Sequence, residues 1–404
     1  MVFAVSLGDA ADAGRVGGKA ASLGELARAG VAVPPGFAVN VEAFAAAMAV
    51  IDPDGARRAG IEALAAADLA GIAAAAARFR ALVAGAPLPD DVAAAITDHY
   101  AALGAAALAR GDASPGACPD VAVRSSATVE DSAGASFAGL QDTYLGVSGA
   151  PSVLEHVRRC WASLYNDESV AYRRRLGLPE AGVAMAVVVQ RMVAPRAAGV
   201  MFTRSPVSGD RSVVAIEGVW GLGSALVSGD VTPDSWVISK ITGEITGRRV
   251  AAKTRLHRYA PNGGTAPPGP PADSAGAGAR VTVADTPAEL RDAPCLTDGE
   301  IRALAAVARR VEAHYGAPQD IEWAVLDAPF AQAGAGSPPL PAAPQGTGGP
   351  DAPAAAAPDA RAESRVVLLQ SRPETVWAAR EVAPAGAPKP RAADHVLSLF
   401  GKPL

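Results

Sequence analysis

The stretch Val121-Ala122-Val123-Arg124-Ser125-Ser126-Ala127-Thr128-Val129-Glu130-Asp131-Ser132 runs from an alternating apolar segment into a loop rich in small hydroxyls. Val121 and Val123 repeat with the period of a half-buried strand and deliver Arg124 to its end. The loop then continues through Gly134 and Gly139. Small hydroxyls and unobstructed backbone N–H groups beside a fixed guanidinium are the equipment for holding polyphosphate oxygens. Taken alone, the stretch is equally compatible with an ordinary surface loop that has an arginine at its base.

The rest of the chain narrows the choice. Its 404 residues are 50% hydrophobic and 19% charged, enough for two or three packed lobes. A net charge of -5 without any Lys/Arg block argues against a nucleic-acid surface, and a local basic cleft for a small anion stays open. Cys118, Cys160 and Cys295 form no CxxC pair, so neither a disulfide framework nor a zinc site is indicated. The start lacks a basic segment leading into an apolar core, and no unbroken apolar run reaches the roughly 20 residues of a membrane span. A cytoplasmic chain without a membrane partner is the expectation.

Lysine is rare here, at positions 19, 240, 253, 389 and 402 only, so Lys19 directly after Gly17-Gly18 draws notice. Leu23, Leu26 and Ala27 follow at helical spacing and Gly30 supplies a stop, predicting a short helix and then a strand over 31–39. A lysine near the positive end of a helix dipole is mismatched unless both share an anion. A solvated loop lysine is the plainer alternative.

Residues 41–118 are alanine-rich and helical in pattern, broken near Pro53, Pro87 and Ser114-Pro115-Gly116, and read as scaffold. The pair Ser152 and Glu155 predicts a capping box opening a helix with Leu154, Val157, Trp161 and Leu164 on one face, where Trp161 and Tyr165 read as core. A strand-rich half follows, over 183–190, 199–203, 213–217, 235–239, 321–326 and 365–369, giving mixed α/β layers. Gln190, with the backbone of Met192 and Val193 before the turn at Pro195, falls where an adenine edge could pair, or forms a plain strand-to-loop transition. Glu217 leads into the glycine-rich turn Gly218, Gly221, Gly223, which does not match GxGxxG, so a dinucleotide fold is not the reading.

Asp320 and Glu322, and again Gln370 and Arg372, stand two residues apart in apolar strands, so each pair shares a face. If the strands are neighbours, two carboxylates, an amide oxygen and a guanidinium converge. A bare cluster of that kind is repulsive, and Mg²⁺ with a nucleotide polyphosphate would relieve it. Glu322 and Gln370 offer hard oxygens for the metal and Arg372 a fork for a terminal phosphate. A surface ion pair on two exposed strands is the simpler alternative.

Five ordered motifs carry a resemblance. Gly17-Gly18-Lys19-Ala20-Ala21-Ser22-Leu23, the Val121 to Asp131 run, Gly199-Val200-Met201-Phe202-Thr203, Gln319-Asp320-Ile321-Glu322-Trp323 and Leu369-Gln370-Ser371-Arg372-Pro373 resemble the N-terminal nucleotide-binding domain of phosphoenolpyruvate synthase and pyruvate phosphate dikinase. The likeness runs from about Gly14 to Trp377. It implies an ATP-grasp-like α/β (α+β) fold, with an N-terminal lobe over 1–192, a grasp lobe over 193–378 and a tail over 379–404. It also implies ATP and Mg²⁺ as ligands. Lys19 and Arg124 would hold phosphates, with Thr128 in the same loop, and Gln190, Met192 and Val193 would meet adenine. Glu217 would lie near the ribose, and Asp320, Glu322 and Gln370 would form the metal side. Arg372 would act on the terminal phosphates, making Lys19, Arg124 and Arg372 the catalytic set.

Relatives complete their reaction through a swivelling domain with a glycine-flanked histidine, and none of His99, His156, His257, His314 or His395 has that context. His314, near the end of a helix capped at Thr297 and Glu300 and closed by Gly316, reads as dipole stabilisation. The expectation is therefore an ATP-binding component of a split enzyme whose partner subunit carries the histidine. Phenylphosphate synthase, which cleaves ATP to AMP and phosphate while phosphorylating phenol, is the assignment chosen. A rifampin phosphotransferase-like or pyruvate-directed component, or a non-catalytic ATP-sensing subunit, are the alternatives. Two Pro/Gly/Ala tracts, about 261–279 and 328–362, depart from the family pattern and are expected to be disordered, the second as a neutral expansion in preference to a partner-docking arm.

Overall fold

The computed structural model describes residues 1–111, 118–127, 142–260, 280–330, 359–375 and 377. Thr128 with the rest of its hydroxyl-rich loop, the break at Ser114-Pro115-Gly116, the tract 261–279, most of 328–362 and the tail 379–404 lie outside the described residues. The composition is mixed helix and sheet, as the alternating patterns require.

The first part builds a five-stranded antiparallel sheet from β1 (Ala4–Ser6), β2 (Gly36–Val39), β3 (Val121–Ala127), β4 (Thr143–Val147) and β5 (Met185–Arg191), in the order β1-β2-β5-β3-β4. Helices α1 (Ala13–Arg28), α2 (Val41–Ile51), α3 (Ala56–Glu62), α4 (Leu69–Gly85), α5 (Asp90–Ala109), α6 (Ala150–Ser163) and α7 (Asp167–Arg175) surround it. Period two divides its residues. Phe37, Val39, Val121, Val123, Val187 and Val189 pack with Phe44, Phe79, Tyr100 and Trp161 in one core, whereas Ala122, Arg124, Val188 and Gln190 stand on the opposite face.

The second part is a six-stranded antiparallel sheet of β6 (Ala197–Phe202), β7 (Val213–Trp220), β8 (Asp234–Ser239), β9 (Ile245–Arg249), β12 (Gln319–Val325) and β13 (Val366–Pro373), ordered β13-β12-β6-β7-β8-β9. Between β7 and β8 lies the single turn α8 (Ser224–Val227), and β10 (Arg255–Tyr259) pairs with β11 (Val281–Asp285) as a separate antiparallel hairpin. The short α9 (Ala288–Arg291), α10 (Asp298–Tyr315) and α11 (Ala360–Glu363) complete the set. Met201, Ile216, Ile321, Trp236 and Trp323 bury against α10 in a second core that also takes Leu23 and Leu26 of α1. Each indole there removes roughly 150–250 Å² from water.

Helix α10 begins and ends as its sequence predicts: Thr297 and Glu300 form a reciprocal capping box and Gly316 closes the helix in the left-handed region. The box expected at Ser152 is a correction. Helix α6 starts upstream at Ala150 with Gly149 as its cap, because Pro151 fits the first turn, where no N–H is needed. Ser152 is therefore inside the helix, its carbonyl 2.7 Å from His156 Nδ1. Helix α5 is the described helix long and apolar enough by composition to cross a membrane. It buries Val92, Ile96, Tyr100 and Leu103 in the first core and shows an alanine-rich face outward.

Candidate functional site

A break in α1 places the first functional side chain. Gly17 takes φ 75° and ψ 161° inside the helix, and a Cβ there would lie 2.0 Å from the carbonyl oxygen of Ser126. Only glycine permits this approach. Helix α1 is stitched to β3 by Ser126, whose hydroxyl donates to the carbonyl of Val16 (3.0 Å) and accepts from Ala20 N–H (3.3 Å). Lys19, two residues past the break, donates from Nζ to the carbonyl of Ser125 at 2.9 Å, next to Arg124 in sequence. One turn further, Ser22 Oγ donates to the carbonyl of Ser371 at 2.9 Å, between Gln370 and Arg372. One helix thus draws the β3 and β13 motifs to a common corner.

The two strands carrying the paired polar groups are neighbours. In the β12–β13 ladder Asp320 faces Arg372 and Glu322 faces Gln370, while β6 puts Val200 opposite Glu322 and β7 puts Glu217 opposite Val200. Directly opposed residues share a face, so Gln370, Glu322, Val200 and Glu217 form one row across the sheet. Arg124, from the other sheet, closes on that row: Nη2 donates to Glu322 Oε2 (2.6 Å) and to Gln370 Oε1 (2.9 Å), and Nη1 donates to the carbonyl of Leu369 (2.7 Å).

Between the two sheets lies a cavity of about 240 Å³. Arg124 and Glu322 line one end, with Gln190, Met192 and Val193 in its wall, and Leu222, Gly223 and Ser224 contribute from the glycine-rich turn. Mostly apolar walls with a few convergent polar groups are the usual make-up of a small-molecule site. Gln190 is buried and its amide donates to the carbonyl of Pro34 at 3.2 Å, while Met192 N–H donates to the carbonyl of Asp120 at 2.9 Å. Lys19, Asp320, Gln370 and Arg372 are outside the lining, at the Arg124 corner, and Glu217 stands beyond Val200, half-buried.

Sequence reading missed the cavity wall built by Ser224 and Val281 and the part played by Asp120, residues whose types carry no signal before the chain folds. At the charged corner, Arg124 Nε and Asp320 Oδ1 are buried without a hydrogen-bond partner among the described residues. Orphaned polar atoms of both signs beside an apolar cavity fit a ligand that has anionic oxygens and a cation. Glu322 and Gln370 have hard oxygens of the kind Mg²⁺ takes, both of which accept from Arg124 here. Among the described residues no group of three or more His, Cys, Asp or Glu is arranged to hold a metal ion by itself.

Burial pushes the Asp320 carboxyl up to about 6, against the pull of Arg372, whose Nε is 3.5 Å away, and with repulsion from Glu374 added. A carboxyl raised on folding binds more protons in the native state. Its contribution is complete below its unfolded value of 3.8 and is lost as pH rises through about 6. Asp320→Asn is therefore expected to make the ligand-free chain more resistant to urea near pH 7 than the parent. The stability loss of the parent between about pH 4 and 6 should flatten in the variant; an unchanged slope would count against this titration.

Comparison with known proteins fits the geometry. Residues 13–392 match the family described as "Pyruvate phosphate dikinase, AMP/ATP-binding domain", and the chain belongs to that family. It is thus an ATP- and nucleotide-binding module of a family that uses ATP with Mg²⁺. Relatives include a rifampicin phosphotransferase of Streptomyces sp, 45% identical over 325 residues, 80% of this chain and 34% of the relative. A probable phosphoenolpyruvate synthase of Methanothermobacter thermautotrophicus is 40% identical over 78% of this chain and 42% of its own length. The prodigiosin synthesizing transferase PigC of Serratia marcescens is 37% identical over 78% of this chain and 30% of its own. The chain spans well under half the length of these relatives.

Proposed function

We propose that this chain is the ATP-binding component of a phosphoenolpyruvate synthase-like phosphotransferase. Lobes 1–192 and 193–378 would close over Mg²⁺-ATP in the ATP-grasp manner. The observation that carries the reading is the fork of Arg124, from one sheet, on Glu322 and Gln370 of the other, with Arg124 and Glu322 in the lining of an apolar cavity. ATP supplies the phosphoryl groups and Mg²⁺ neutralises their charge. Gln190 with the backbone of Met192 and Val193 would receive adenine, and Glu217 the ribose side. Lys19, Arg124 and Arg372 would hold the phosphates, and Glu322, Gln370 and Asp320 would face the metal. Thr128 would join them from the adjoining loop. Arginine forks and a lysine point charge position phosphates and offset charge that builds during transfer.

The acceptor is a histidine on a separate swivelling domain, supplied by a partner subunit. Each of the described histidines is engaged elsewhere: His99 and His156 with backbone carbonyls of their own helices, His257 with Ser224 and Asp230, and His314 with Glu25. None lines the cavity. Phenol, consumed with ATP and water to give phenylphosphate, AMP and phosphate, is the first final acceptor to test. The relative named as a rifampicin phosphotransferase, at 45% identity, supports rifampicin as the second. A sensor that closes on nucleotide without transfer is the non-catalytic alternative.

The test is calorimetric titration of the chain with Mg²⁺-ATP, followed by incubation with ATP labelled separately at the β and γ positions. Saturable binding with no acid-labile label on this chain is the expected result. Stoichiometric acid-labile label on this chain alone would sink the partner-histidine account, and absence of saturable binding would sink the nucleotide reading.

A further inference from the structure

The hairpin β10–β11 belongs to neither large sheet, yet it touches both walls of the cavity. At the middle of β10, Gly221 bridges His257, and Leu222 N–H donates to the carbonyl of His257 at 2.9 Å. Gly221 takes φ 72°, and a Cβ there would come within 2.4 Å of that carbonyl, so the strand lies hard against the glycine-rich turn. The buried ring of His257 spans the turn that follows: Nδ1 is 2.8 Å from Ser224 Oγ and Nε2 is 3.1 Å from Asp230 Oδ2. A neutral ring satisfies both, donating from Nε2 to Asp230 and accepting the Ser224 hydroxyl proton at Nδ1. Leu222, Gly223 and Ser224 all line the cavity, so the histidine fixes one wall.

The Tyr259 and Arg280 end of the hairpin grips the opposite wall. Tyr259 Oη donates to Asp120 Oδ2 at 2.8 Å, and Arg280 Nη1 donates to the same oxygen at 2.8 Å. Asp120 is buried immediately before β3, the strand that carries Arg124, and its carbonyl accepts the N–H of Met192 from the cavity wall. Burial and the neighbouring carboxylate raise the Tyr259 phenol, keeping it a donor. Val281, paired with Tyr259 in the hairpin, lines the cavity between the two anchors.

We propose that β10–β11 is a strap that sets the aperture of the nucleotide cavity, with His257 at its middle and Asp120, Tyr259 and Arg280 at the clasp as positioning residues. The inference rests on the nucleotide reading above. Its function is to retain the ligand. A buried carboxylate shared by a guanidinium and a phenol ties together two walls that come from different sheets, and cutting it frees one wall from the other without touching a group that meets the ligand.

Stopped-flow binding of a fluorescent ATP analogue with Mg²⁺ to the full chain tests this. Arg280→Ala and Tyr259→Phe should each raise the dissociation rate by about tenfold, leave the association rate within about twofold, and combine non-additively. Arg280→Lys, which keeps a cation near Asp120, should recover most of the retention, a rescue that a merely structural role would not produce. Thermal unfolding run alongside shows which variants are folded. Tyr259→Phe keeps the aromatic packing and so serves where Arg280→Ala fails to fold. Dissociation rates within twofold of the parent in folded variants would overturn the strap while leaving the nucleotide reading intact. Failure of the unaltered chain to bind the analogue would overturn both.

Discussion

Arg124→Ala is expected to lower the affinity for Mg²⁺-ATP by about 100-fold, the largest binding loss from any single substitution in the cavity. Two effects act in the same direction. On the proposed reading the variant would lose charge-assisted hydrogen bonds to phosphate, worth roughly 1.5–3 kcal/mol, and a tenfold change in affinity is about 1.4 kcal/mol. It also strips the cation from Glu322, leaving a carboxylate that faces the phosphates unscreened where Nη2 now stands at 2.6 Å. Arg124→Lys should recover only part of the loss, because an ammonium cannot reach Glu322, Gln370 and the Leu369 carbonyl as a planar fork does. Calorimetry of the three proteins checks this, and an affinity within fivefold of the parent in a folded Arg124→Ala variant would remove the residue from the site.

The largest expected loss of stability lies outside the cavity lining. Arg173 on α7 forks onto Glu180, with Nε 3.1 Å from Oε1 and Nη2 2.8 Å from Oε2, and its third arm donates to the carbonyl of Leu164 at 2.8 Å. Both side chains are essentially out of solvent, at 1% and 0% exposure. Arg173→Ala leaves a buried carboxylate without its cation and should cost about 3–5 kcal/mol in denaturant unfolding. Replacing both partners with apolar residues, Arg173→Leu with Glu180→Leu, should be markedly less damaging than the single change, since no orphaned charge remains. Equal losses in the single and double variants would show that packing, not charge compensation, sets the cost.

Much of the charged corner was legible because period two is a rigid rule. Asp320 and Glu322, and Gln370 and Arg372, had to share faces if their segments were strands, and the observed register puts the two pairs opposite each other. Lys19 was flagged by the glycines before it, and Gly17 proves to be the break that lets α1 meet β3. The start of α6 departs from the Ser152–Glu155 pattern because a serine three residues before a glutamate is a weaker signal than a proline one residue earlier. The strap was invisible. Asp120, Tyr259 and Arg280 are ordinary residues at ordinary spacings, and their meeting depends on the packing of two sheets, which no local pattern encodes. Ser224, His257 and Asp230 are scattered for the same reason.

Gln370 and Arg372 ride on β13, the outermost strand of its sheet, hydrogen-bonded along one side to β12 and held on the other by single contacts such as Leu368 N–H to the Ala32 carbonyl. With ladder bonds on one side only, this half of the corner is expected to exchange its amide protons through local fraying rather than global unfolding. A ligand held by Gln370 and Arg372 must suppress that fraying by the same free energy with which it prefers the paired strand. Slowed deuterium uptake in residues 366–373 on adding nucleotide would then read occupancy from the backbone itself, without any assay of chemistry.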